Sequence, residues 1–155
     1  MTDPFFAALH ERRPDVDIVI LPPEDPPEPL PEATAAELSR SVQVVDATFA
    51  AIAARVPEPT SDGPRWEAYN SENVRRWAQL EARAADGDAI LAGLDQAFRD
   101  ARWHSTVAVK AFHRWTASRA DVQVVGTWSE SHHGLVVTVT GRTLRPPANV
   151  REALV

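Results

Sequence analysis

From Trp66, steps of four and then three residues land on Asn70, Asn73, Trp77, Leu80, Ala84, Gly87, Leu91, Leu94, Phe98 and Ala101. This is the spacing of one helix face, and a stripe that long obliges the rest of the chain to cover it. Two readings fit residues 64–103. One is a single helix, which at about 1.5 Å per residue would run roughly 60 Å. The other breaks at Asp86-Gly87-Asp88, with Asp88 capping a fresh helix over residues 89–103. The break is preferred, because the helix available to pair with the stripe is much shorter.

That helix precedes it. Thr34-Ala-Ala-Glu37 is a capping box, and Leu38, Val42, Val45, Phe49, Ile52 and Val56 follow at helical spacing until Pro57 and Pro59 stop them. The short link through residues 58–63 predicts an antiparallel helical hairpin.

After Thr106 the period drops to two. Val107, Val109, Ala111, His113 and Trp115 share one face of an expected strand over residues 106–115, with a turn over 116–120. Val122, Val124, Gly126 and Trp128 alternate with Gln123, Val125 and Thr127. A loop containing His132 and His133 then leads to Leu135, Val137 and Val139, which alternate with Val136, Thr138 and Thr140. Three such strands predict an antiparallel meander ended by Gly141, with Asn149 capping a last short helix.

Upstream, Asp3-Pro4 starts a short helix that Pro14 ends, and residues 15–21 read as a strand that adds to the sheet edge. Residues 22–31 hold six prolines among acidic residues, which calls for an extended crossover and not a helix or an inner strand. The expected fold is therefore α+β: a helical hairpin or layer on a small antiparallel β-meander, in one domain spanning residues 1–155.

Composition narrows the function. With 44% hydrophobic and 25% charged residues the chain reads as a globular protein. It holds no apolar run of membrane-spanning length and no signal-peptide pattern, so a cytoplasmic protein with no membrane partner is expected. Residues 1–62 carry twelve acids and four bases, and the remainder ten acids and twelve bases. The acidic front half disfavours nucleic acid. Fifteen arginines against one lysine, with abundant alanine, point to a GC-rich bacterial coding sequence.

No motif carries chemistry. The absence of cysteine removes thiolate metal sites and thiol nucleophiles. His132-His133 with His113 or His104 lacks a carboxylate at ligand spacing, Ser131 lacks a nucleophile elbow, and the six glycines stand singly rather than in a phosphate loop. No cofactor, no metal and no catalytic residue is expected.

Two readings follow. In the first, the chain is a non-catalytic protein-interaction module of chaperone, adaptor or immunity type, binding another protein or itself as a dimer. Its element order resembles small bacterial secretion chaperones and adaptors in outline. The second is a small-ligand-binding domain or enzyme with a pocket of tryptophan and histidine between meander and helices. The expected partner or ligand surface is Leu91, Leu94, Phe98, Trp103, His113, Trp115, Trp128, His132 and His133, of which the ligand reading uses His113, His132 or His133 beside Trp115 and Trp128.

Overall fold

Capping chemistry decides where the first long helix begins. In the computed structural model, which describes residues 11–12, 28–109 and 113–155, α1 spans Ala35–Ala53. The hydroxyl of Thr34 accepts from the Glu37 N–H at 3.2 Å, and the Glu37 carboxylate accepts from the Thr34 N–H at 2.8 Å. These two bonds satisfy reciprocal groups that a helix start would otherwise leave unpaired. The Thr34 N–H, and next the Thr34 hydroxyl, hold the Glu37 carboxyl below its ordinary pKa. The buried face of α1 is Ser41, Val45, Thr48 and Ile52, while Leu38, Val42 and Phe49 are half-covered.

The next stretch departs from the helical expectation. Residues 64–83 are strands: β1 spans Arg65–Ala68 and β2 spans Val74–Arg83, an antiparallel pair. Trp66, Trp77 and Leu80 fit a helix period, but the same stretch also alternates. Val74, Ala78, Leu80 and Ala82 are buried, and Arg75, Trp77, Gln79 and Glu81 are not. Asn70 settles the conflict. Its side-chain oxygen accepts from the N–H groups of Glu72 and Asn73 at 2.9 and 2.8 Å, which folds the chain into a hairpin. Asn70 and Asn73 are turn residues, not members of a seam.

The helix after the break does form. α2 spans Gly87–Asp100, and its first turn is capped by Asp86, not Asp88, through the Ala89 N–H at 3.0 Å. Asp88 sits in the first turn, where a carboxylate favours the helix dipole.

The meander has four strands in place of three: β3 (His104–Val109), β4 (His113–Arg119), β5 (Val122–Ser129) and β6 (Gly134–Leu144). The expected single strand over 106–115 is two strands in antiparallel register, with Val109 opposite His113. The expected turn over 116–120 is strand through Arg119, and the chain reverses at Ala120-Asp121 with Ala120 at φ 47°. Gly141 does not end β6. A Cβ there would lie 2.9 Å from both Ser41 Oγ and Val45 Cγ2, so glycine lets α1 approach the strand. The last helix, α3 (Ala148–Leu154), begins after Pro147 and has no side-chain cap, so Asn149 lies inside it.

The six strands form one antiparallel sheet in the order β1-β2-β6-β5-β4-β3. α1 packs on β2 and β6, and α2 packs on β3, β4 and β5. Both lie on one face, and their buried residues join the inner side chains of the sheet in a single cluster that includes Val45, Ile52, Leu91, Leu94, Trp115 and Val137. The class is the expected α+β layer on a meander, but each helix is mated to the sheet, not to the other helix. Among the described residues the sheet ends in β1 and β3. The strand expected over 15–21 and the helix expected near residue 4 lie outside them, apart from Glu11 and Arg12, which are helical. Of the proline-rich crossover, residues 28–31 are described and include no helix. Among the described residues, no helix is long and apolar enough to cross a membrane.

Candidate functional site

The aromatic and histidine side chains singled out by the sequence gather where α2 meets β3, β4 and β5. Gly87 lets the helix start against Trp128, since a Cβ there would fall 2.2 Å from two atoms of the indole. The Trp128 N–H donates to the Ala84 carbonyl at 3.3 Å, and the His113 ring meets the Trp128 ring edge-on with centroids 5.1 Å apart. Nδ1 of His113 pairs with the Asp88 carboxylate. One turn of α2 is thereby fastened to two strands.

A second polar chain runs deeper. The Trp115 N–H donates to Ser105 Oγ at 2.8 Å, the Ser105 hydroxyl donates to Asp95 at 2.6 Å, and Arg99 pairs with the other Asp95 oxygen at 2.9 Å. Phe98 packs edge-on against Trp103 and Trp115, with centroids 4.8 and 5.0 Å away. Buried indole N–H groups need such partners, and here they have them.

This arrangement is a lock, not a cleft. Leu91, Leu94, Phe98, Trp115 and Trp128 are buried, and Leu91, Leu94 and Trp115 are at most 1% exposed. The sheet covers the three helix residues and α2 lies over the two strand tryptophans, so all five belong to the core. Trp103 is half-covered at the end of α2. His132 and His133 are exposed in the β5–β6 turn, with His133 at φ 49° and its carbonyl accepting from the Ala84 N–H at 2.9 Å. The structure thus joins His113 to Trp128 and Trp115 to Phe98 and Trp103, while His132 and His133 stand apart. Among the described residues, no group of three His, Asp or Glu side chains is placed to hold a metal ion.

The opposite face of the sheet differs. Its side chains run in rows across the strands. One row is Glu81, Val136, Thr127, Arg114 and Ala108, and the next is Gln79, Thr138, Val125, Thr116 and Thr106. None of these ten is buried. Val136, second in its row, is 37% exposed. Thr106 and Thr116 share a hydroxyl hydrogen bond of 2.9 Å. Toward β1 the guanidinium of Arg65 lies over the Trp77 ring at 4.5 Å, and Arg75 pairs with Glu67 at 2.8 Å. The sign of this face was present in the sequence, as the second register of each alternating strand, but only the siting of both helices on one side shows that nothing described covers it.

No family model, curated protein or solved structure matches the chain.

Proposed function

We propose that the protein is a non-catalytic interaction module, of chaperone, adaptor or immunity type, that associates through the outer face of its sheet, with a second copy of the chain as occupant. A cytoplasmic bacterial setting fits its arginine-rich, cysteine-free composition. The observation that carries this reading is the contrast between the two faces. The inner face is sealed by α1 and α2, and the outer one is a broad field of valine and threonine with no buried member. Paired sheets pack about 10 Å apart through such β-branched faces.

The charge pattern favours self-pairing. In the row Glu81–Val136–Thr127–Arg114, the acid and the base sit at opposite ends. A two-fold axis between β5 and β6 sets Arg114 against Glu81 of the partner and Thr127 against Val136 of the partner. A two-fold interface requires that kind of self-complementarity.

Sedimentation equilibrium on the full chain tests it. The wild type is expected to be a dimer, Arg114→Glu to shift toward monomer, and Arg114→Glu with Glu81→Arg to recover the dimer. A wild type that stays monomeric at high micromolar concentration, or a dimer indifferent to both changes, contradicts the proposal.

A further inference from the structure

Beside β1 the edge of the sheet is interrupted. Thr60 and Glu81 exchange backbone hydrogen bonds at 2.8 and 2.9 Å, and Arg65 stands opposite Trp77. The chain takes five residue steps from Thr60 to Arg65, and β2 takes four from Trp77 to Glu81. One residue has to bow out, as in a β-bulge. Ser61 fastens the bow by donating its hydroxyl hydrogen to the Gln79 carbonyl at 2.6 Å, and its oxygen accepts from the Gly63 N–H at 2.9 Å. The result is a pocket of about 270 Å³ on the outer face, between Asp62, Arg65, Trp77, Gln79 and Glu81.

Its charge is unbalanced. Asp62 and Glu81 are its two acids and Arg65 is its one base. The Arg65 guanidinium lies over the Trp77 ring and comes only within 3.8 Å of Asp62. The Gln79 amide donates to Glu81 at 2.9 Å and orients that carboxylate. One negative charge is left over, at a place with room for a side chain.

We infer that this pocket takes the Arg114 side chain of a second copy, with the guanidinium between Asp62 and Glu81. The inference rests on the outer-face dimer and names what anchors it. The two-fold axis between β5 and β6 lays β2 over β4 of the partner, whose outer positions hold Arg114, Thr116 and Ser118. Of these, the partner's Arg114 alone is long and cationic, and it lies in the row of Glu81. Its planar fork of N–H donors suits two carboxylates at once better than the point charge of an ammonium does. With it the pocket holds two acids and two bases, and the symmetry builds the same contact twice.

Sedimentation equilibrium of the full chain tests this with conservative changes. Arg114→Lys keeps the charge and loses the fork, and is expected to weaken the dimer about tenfold. Asp62→Asn is expected to weaken it about fivefold. The Asp62 side chain is 94% exposed, so this change leaves the fold intact. With a net charge of −6 on each chain, removing an acid lowers the general repulsion between copies, so a weaker dimer cannot come from that source. Asp100→Asn makes the same change of charge at an exposed position of α2 and is expected not to weaken the dimer. The double variant Arg114→Lys with Asp62→Asn is expected to be little weaker than Arg114→Lys alone, because both changes break one contact. A dimer as tight in Arg114→Lys or Asp62→Asn as in the wild type, or weakened equally by Asp100→Asn, overturns the pocket and leaves the outer-face dimer standing. A monomeric wild type overturns both.

Discussion

One sheet has two faces of opposite character. Inner positions such as Leu80, Leu135, Val137 and Val139 are fully buried under the helices. On the outer side, Gln79, Val136, Thr138 and Thr140 occupy the intervening positions of the same two strands and none is buried. The alternation of a strand makes both faces at once, so their difference comes from what the topology lays on each. On the inner face the Trp115 N–H is satisfied by a polar chain through Ser105 and Asp95 that ends at the exposed Arg99. The exposed face instead carries threonine and valine, β-branched residues that favour strands.

The largest test of this contrast is truncation. Leu91→Ala is expected to cost about 2–5 kcal/mol in denaturant unfolding, since it empties a site sealed between α2 and the sheet. Thr138→Ala on the outer face is expected to cost under about 1 kcal/mol. Similar costs for the two would erase the distinction between the faces. Next is Gly87→Ala, which forces a Cβ into the Trp128 ring. Overpacking of that kind costs about 1–3 kcal/mol, and the near-ultraviolet circular dichroism of the buried indole is expected to change with it. An unaltered spectrum would mean that α2 is not seated as described.

The His113–Asp88 pair sharpens the comparison from a smaller scale. Asp88 is half exposed, so Asp88→Asn is expected to cost less than about 1 kcal/mol, against the much larger effect of Trp115→Ala below it. The smallest effect belongs to Glu37. Its folded pKa is lowered from 4.5 by the Thr34 N–H and hydroxyl. Ionised Glu37 therefore contributes stability above the unfolded pKa, and that contribution is lost as pH falls through the lower folded value. Glu37→Gln is expected to flatten the acid limb of stability against pH slightly, and an unchanged limb would remove the capping box from the list of contributors.

Much of the fold was legible because its signals were local. The Thr34–Glu37 box, the break at residues 86–88 and the alternation after Val122 each specify an element by chemistry within a few residues. Residues 64–83 hide their strands because Trp66, Trp77 and Leu80 satisfy a helical period by coincidence. The competing signal is turn formation at Asn70, which also falls on that helical stripe. The spacing of Leu91, Leu94 and Phe98 puts them on one face of a helix, and they form the buried face of α2. That the sheet covers them is a tertiary fact which no spacing within the helix records. Val136 is silent in the sequence for the same reason. A valine on the second register of a strand becomes informative only when neighbours from distant parts of the chain cover it or leave it bare.

Spin labelling addresses the outer face most directly, because the chain has no cysteine and one introduced thiol is unique. Gln123 lies on the outer face, and Ala92 is exposed on α2 on the other side of the sheet. With a nitroxide at Gln123→Cys or at Ala92→Cys, pulsed dipolar spectroscopy is expected to give a short distance between copies at position 123 and a longer one at 92. The reverse order, or no dipolar coupling at either position, would contradict association through the outer face.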